Sequence, residues 1–352
     1  MTKQMDIENL SCPLPIMDHD TVQLAHGAGG KLSSQLIEML FLSRFSNKTL
    51  DALEDQAVLE FPGKRLSFST DTFVVDPIFF PGGTIGELAI NGTVNDVAMC
   101  GAEPLYLSVG FILEEGLPME LLHRILVSME AAAKKANITI VTGDTKVVNK
   151  GSADKIFINT TGIGVLNHDL NLSAGNLLEG DKIILSGTLA DHGMAVMTSR
   201  EGLSFQTQVK SDTAALNGLV KSMLKTSDEI HAMRDPTRGG AATTLNEFAG
   251  QSSLGIEIYG EKIPVRPEVQ GACEVLGIDP LYVANEGKLI AVVAPQAAKS
   301  VLATMQKHEF GKDAVIIGEV VSGHPGIVTM KTGLGAQRIV DMPVGEQLPR
   351  IC

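Results

Sequence analysis

Three acids stand where a β-rich run gives way to a Gly- or Thr-containing stretch. Asp71 follows LSFST, Asp96 follows NGTVN and Asp144 follows ITIVTG, and Asp55 in LEDQAVL is a fourth candidate. Carboxylates gathered at strand ends suit Mg²⁺, a hard ion that takes oxygen ligands, keeps part of its water and bridges nucleotide phosphates. A single Asp is as readily a turn or cap residue; the set together is what points to a cation. Two glycine loops add to it. HGAGG at 26–30 brings Gly27, Gly29 and Gly30 ahead of Lys31, and TRGG at 237–240 brings Gly239 behind Arg238. Each precedes a helical run, where unpaired N–H groups attract phosphate, and each carries a cation. Neither is a Walker loop, and read alone a Gly-Gly pair marks a turn. Lys146 in GDTK and Glu286 in NEGK sit in Gly-flanked turns after apolar runs, suited to a phosphate-binding cation and a proton acceptor, or to a solvated loop.

Cys352 is the remaining reactive group. It ends a stretch rich in Gly and Pro (Gly333, Gly335, Pro343, Gly345, Pro349). A dozen such residues span up to roughly 40 Å when extended, enough to enter a cleft. Its α-carboxylate raises the thiol pKa and Arg350 lowers it, and the thiolate is the attacking form, so the residue suits a carrier for an activated acyl group. Cys12, Cys100 and Cys273 show no CxxC spacing and fit a reducing compartment better than a disulfide framework or zinc knuckle. His26 and His192 lie beside Gly turns; His123 and His308 read as structural or exposed.

These groups need two folded units to hold them. A chain of 352 residues that is 44% apolar exceeds one core and supplies material for two. Residues 1–20 read as a loose leader. From Val22, short β-rich runs (66–70, 138–142, 155–158) alternate with helical ones, and 118–136 is the clearest helix: Pro118 starts it, Leu122, Ile125, Leu126 and Met129 recur at helical spacing, and Asn137 ends it. This defines a mixed α and β domain at 21–166. The polar stretch 167–180 leads into a second alternating domain, 167–332, whose first strand is 182–185, and 333–352 reads as a flexible tail. Lys+Arg 28 against Asp+Glu 41 gives a net charge of -13, which a nucleic-acid backbone repels. With no Trp and 4% aromatic residues the chain has no base-stacking platform, and no apolar run nears the roughly 18 residues of a membrane helix. The start MTKQMDIENLSCPLP lacks signal-peptide character, and the cytoplasm is the expected location.

HGAGG, STDTFVVDPIFFPGG, NGTVNDVAMCGAEP, FILEEGLP, VTGDTKVV, RDPTRGG, ANEGK and the terminal LPRIC resemble the HypE family of hydrogenase-maturation carbamoyl dehydratases, from about Gln23 to Cys352. That family belongs to the aminoimidazole ribonucleotide synthetase superfamily. The resemblance implies an α/β (mixed α+β) two-domain fold, with an N-terminal sheet domain that dimerises, ATP near that interface, a C-terminal α/β domain and a flexible tail carrying Cys352. It implies a Mg²⁺ and phosphate shell of Asp55, Asp71, Asp96, Asp144 and Asp235, with Thr72, Asn95, Gly143, Arg238 and Gly239 among the ATP-binding residues, and Lys146 and Glu286 in catalytic positions. The implied reaction is ATP-dependent dehydration of a carbamoyl group on Cys352 to a thiocyanate, the source of the cyanide ligand of [NiFe]-hydrogenase iron. HypF would supply the carbamoyl group and a HypC–HypD complex would accept the cyanide. Two other readings remain: a synthetase or kinase of the same superfamily acting on a free small acceptor, and a catalytically silent scaffold or redox relay.

Overall fold

A computed structural model of the chain describes residues 19–23, 36–47, 65–200, 209–333, 335–342 and 350–352. The HGAGG loop with Gly27, Gly29, Gly30 and Lys31, Asp55, and all but the last two residues of the expected leader lie outside the described residues.

The first sheet is built from β1 (Arg65–Phe73), β4 (Glu103–Glu114), β5 (Thr139–Val148) and β6 (Ile156–Leu166), in the order β1-β6-β4-β5. A small hairpin, β2 (Phe79–Phe80) with β3 (Gly83–Thr84), leads into the helix α1 (Ile85–Met99). The helix α2 (Met119–Ala136) joins β4 to β5, which run parallel as a crossover connection requires. Its apolar stripe, Leu122, Ile125, Leu126 and Met129, is fully buried. It stops at Asn137, whose left-handed backbone (φ 57°) sends its N–H back to the carbonyls of Ala133 and Lys134. One face of the sheet packs on α1 and α2. The other leaves Leu66, Phe68 and Ile112 exposed, Phe68 at 70%.

Three acids expected at strand ends stand elsewhere. Asp71 lies inside β1 and Asp144 inside β5, because both strands run on past the residues whose composition suggested a turn. Asp96 lies on α1. The β-branched pair Thr93-Val94 and the lack of an apolar period disguised this helix: 13 of its 15 residues are buried, because it is covered by the sheet on one side and by the C-terminal half of the chain on the other. Its start is conventional, with Thr84 accepting from the Glu87 N–H.

The second sheet holds β7 (Lys182–Leu185), β8 (Ile230–Arg234), β9 (Gly255–Tyr259), β10 (Ile290–Val293), β11 (Val315–Val321), β12 (Val328–Lys331) and β13 (Gln337–Ile339), in the order β13-β12-β9-β11-β7-β10-β8. Helices α3 (Asp191–Arg200), α4 (Asn217–Thr226), α5 (Gly240–Ser252), α6 (Pro267–Leu276) and α7 (Pro295–Lys307) accompany it. Along β10, Ile290 and Val292 join the core of α5 while Ala291 and Val293 join that of α4 and α7, so both faces are covered. The stretch expected as a tail is structured where it finds partners. β13 pairs with β12, and Ile351 is buried against the N-terminal core. No helix among the described residues is long and apolar enough to cross a membrane.

Candidate active site

The end of the chain lies beyond β1, against α3 and the loop after β8 that carries Arg238. Asn95 joins the two halves of the chain. Its carboxamide is fully buried, donates to Ala214 O (3.0 Å) and Glu286 O (3.3 Å), and accepts from the Leu216 N–H (2.8 Å). Asn95 was expected to bind the nucleotide. Its polar atoms are hydrogen-bonded to the C-terminal half, so the side chain ties the two halves together.

The NEGK turn is held from beneath. Asp212 accepts from the N–H groups of Glu286 (3.2 Å) and Gly287 (3.3 Å) and from Lys288 Nζ (2.9 Å). A Cβ at Gly287 would stand 1.8 Å from Asp212 O, so only glycine lets the two loops meet. Burial alone would raise Asp212, but Lys288 and the hydrogen bonds outweigh it and hold this carboxyl below its ordinary range. Asn285 ties the same turn to the loop after β8, donating to Pro236 O (3.0 Å) and accepting from the Ala190 N–H (2.8 Å). That loop carries Asp235, Arg238 and Gly239. Gly239 (φ 73°) sits directly ahead of α5 in the left-handed region, as a Gly-Gly turn demands.

Four carboxyls converge here. Asp71 faces α1: its β6 partner Thr160 bonds to Ala89 O of that helix, and a side chain at Gly92 would approach Asp71 Oδ2 to 3.6 Å. Asp96 stands one helical turn beyond Gly92 and accepts from Ser69 Oγ (2.8 Å). Burial raises the pKa of Asp71, and that of Asp96 with help from Asp71. Asp235 is pushed up to about 7, by burial first and then by Asp96 and Asp71. Glu286 is raised well above its usual value by burial and then by Asp235, Asp212, Asp71 and Asp96, and its Oε1 is buried without a hydrogen-bond partner. Such mutual repulsion is what a bound cation would relieve. Among the described residues, however, no group of three or more His, Cys, Asp or Glu is close enough to hold a metal ion unaided.

Cys352 lies against this cluster. Arg238 Nε donates to its Sγ (3.3 Å), and burial, then Glu286 and Asp71, push the thiol up to about 12 despite Arg238. In this seat the sulfur is a neutral thiol and a poor nucleophile.

Four expected residues, Asp144, Lys146, Thr72 and Gly143, are not brought here. Thr72, Asn159, Gly110 and Asp144 are successive cross-strand partners, and Lys146 pairs with the exposed Ile112. Partners across a sheet share a face, so Asp144 and Lys146 lie on the open face while Asp71 faces α1. They also stand on the opposite edge strand, about 14 Å away at three strand spacings. Thr72 lies on that open face too, its Oγ1 accepting from Asn159 Nδ2 (2.9 Å), and Gly143 neighbours Asp144. Within one chain, Asp144 cannot join the cation shell expected of it. Residues that the sequence did not single out, Asp212, Asn285 and Arg200, shape the site through contacts far apart in the chain. The one available clue is for Asn285, which directly precedes Glu286 in NEGK.

The chain is similar to known proteins over nearly its whole length. Residues 53–166 match the family model "AIR synthase related protein, N-terminal domain", and residues 179–331 match its C-terminal counterpart. The chain is 53% identical over 332 residues to the carbamoyl dehydratase HypE of Rhizobium leguminosarum bv. viciae, covering 94% of this chain and 95% of that protein. A crystal structure of hydrogenase maturation protein HypE in complex with ATP is similar with a TM-score of 0.91 at 50% identity, covering 94% of this chain and 99% of that one. The HypE chain of a HypE–HypF complex is similar with a TM-score of 0.77 at 52% identity, covering 88% and 99%.

Proposed function

The chain belongs to the HypE family of carbamoyl dehydratases, and on that premise we propose that it uses ATP to remove water from a carbamoyl group carried on Cys352, yielding the cyanide destined for [NiFe]-hydrogenase iron. The observation that carries the reading is the seat of Cys352 itself, whose sulfur lies in the cleft on Arg238 and beside Glu286. A free small acceptor would need that space.

The reaction balances as R–S–C(=O)–NH₂ + ATP giving R–S–C≡N + ADP + phosphate. The γ-phosphoryl moves to the carbamoyl oxygen and ADP leaves; the N–H protons are then lost as C≡N forms, and phosphate carries the oxygen away. Arg238, at the sulfur, is placed to offset charge developing on the phosphorylated oxygen. Glu286 is the proton acceptor. Burial and its carboxylate neighbours keep it protonated, and neutralising the charge on those neighbours would lower its proton affinity and let it ionise to the form that accepts a proton. Mg²⁺ held by Asp71, Asp96 and Asp235, together with phosphate oxygens, would supply that neutralisation.

Lys146 and Asp144 enter from a second copy. The open sheet face, with Leu66, Phe68 and Ile112 exposed, is apolar enough to pair with its equivalent in a homodimer. Bringing the partner's β5 edge to this β1 edge would place a lysine near the nucleotide phosphates. HypF, found with a HypE chain in a solved complex, is the carbamoyl donor, and a HypC–HypD complex is the cyanide acceptor. The reading places the enzyme in the cytoplasm.

Intact-mass analysis tests the reaction. Incubation with the donor and carbamoyl phosphate should add one carbamoyl group to Cys352, and MgATP should then remove one water from the same peptide. An adduct that keeps its water in MgATP excludes the dehydratase activity.

A further inference from the structure

Apart from the Arg238–Sγ bond and one ion pair, the polar contacts seating the last three residues are made to their main chain. The Val74 N–H donates to Cys352 O (3.3 Å) and the Asp76 N–H to Arg350 O (3.2 Å). The donors are two residues apart and the acceptors two apart in reverse order, the spacing of one side of an antiparallel ladder continued beyond β1. From the C-terminal half, His192 Nε2 donates to Ile351 O (2.9 Å). Arg200 Nη2 donates to Arg350 O (2.9 Å) and to Asp76 O (2.6 Å), bridging the two segments. The Arg350 side chain pairs with Asp154, and Ile351 is buried in the core that also holds Val196 and Ala284.

We propose that His192, Arg200 and Asp154 form a latch that seats the end of the chain in the cleft by its main chain and the Arg350 side chain, whatever group the sulfur carries. The proposal rests on the reading of Cys352 as the substrate carrier. Its logic is chemical: a thiol, a thiocarboxamide and a thiocyanate differ at Sγ, but the carbonyls of Arg350, Ile351 and Cys352 are the same in all three. The latch therefore holds every stage of the reaction alike, while Arg238 hydrogen-bonds the changing sulfur. His192 suits this task because its ring is fully buried, which favours the neutral form. Nε2 then carries the N–H given to Ile351, and Nδ1 accepts from Ser211 Oγ (2.8 Å). Asp154 is the arm nearest solvent, 45% exposed in its side chain, and so the one that ionic strength weakens. Release of the whole latch frees the thiol for loading.

The test is the alkylation rate of Cys352 in the folded enzyme, read by mass spectrometry with the buried Cys273 as internal reference. Asp154→Asn, Arg200→Gln and His192→Leu should each speed alkylation of Cys352 with Cys273 still protected, by about tenfold for the charge-assisted bond of Arg200 and by about threefold for the other two. His192→Gln keeps an N–H donor and should lie closer to the wild type. In chains already carbamoylated, the same variants should lose water more slowly in MgATP, with an unchanged ATP concentration for half-maximal rate. Unchanged Cys352 alkylation in all three variants overturns the latch. So does a rise shared by Cys273, since the residues would then hold the fold and not the chain end. Wild-type enzyme that carries the carbamoyl group but never loses water would refute the proposed function instead, while the alkylation rates still judge the latch.

Discussion

At the residue scale, the seat of Cys352 sets two jobs against each other. Loading needs a thiolate, yet the cleft holds the thiol up to about 12, against roughly 8.5 for an ordinary cysteine. A raised pKa means that docking favours the protonated sulfur. Docking is thus fully favourable below the ordinary value and weakens as pH rises through it towards about 12. Burial, then Glu286, Arg238 and Asp71, set this environment. Alkylation of Cys352 in the enzyme should therefore show an apparent pKa above that of a free LPRIC peptide, measured side by side across pH 7 to 10; coincident profiles would contradict the docked seat. The carrier role proposed for Cys352 was legible in the sequence because it depends on residue type and position. Its ionisation state was not, since burial by distant residues decides it.

At the scale of elements, α1 does the most to join structure to site. It carries Asp96 towards Asp71 on one side and uses Asn95 to bind the loops of the C-terminal half on the other. Asn95→Ala leaves Ala214 O, Glu286 O and the Leu216 N–H without their partner in a buried interface. It should cost about 3 kcal/mol of stability, read as a lower denaturant midpoint, because buried polar groups left unpaired carry their desolvation penalty. A shift below about 0.5 kcal/mol would place that interface outside the cooperative core. The helix α2 could be read from its stripe and its Asn137 cap. The helix α1 could not: a segment buried all round has no polar face, so its sequence lacks the period that marks a helix.

At the scale of the molecule, β1 and β5 stand at opposite edges of one sheet, and the residues implied for a single site are divided between its two faces. The second copy proposed above would reconcile them, and mixing tests it. Lys146→Ala and Glu286→Gln chains are each expected to be inactive as homodimers. If Lys146 acts across the dimer, an equal mixture re-formed from subunits should recover about a quarter of wild-type water loss, since half the dimers are mixed and one of their two sites is intact. No recovery would mean that both residues serve the same chain. By itself the sequence determined the chemistry: the aspartates, the glycine turns, Glu286 and Cys352 are types whose reactivity is local, and their motifs carried the family with them. Only the tertiary structure decided which of them meet. It brought Asp71, Asp96, Asp235, Glu286 and Cys352 together, set Asp144 and Lys146 apart, and recruited Asp212, Asn285, His192 and Arg200 as their supports. Such meetings depend on strand register and on contacts between residues far apart in the chain, which no local pattern encodes.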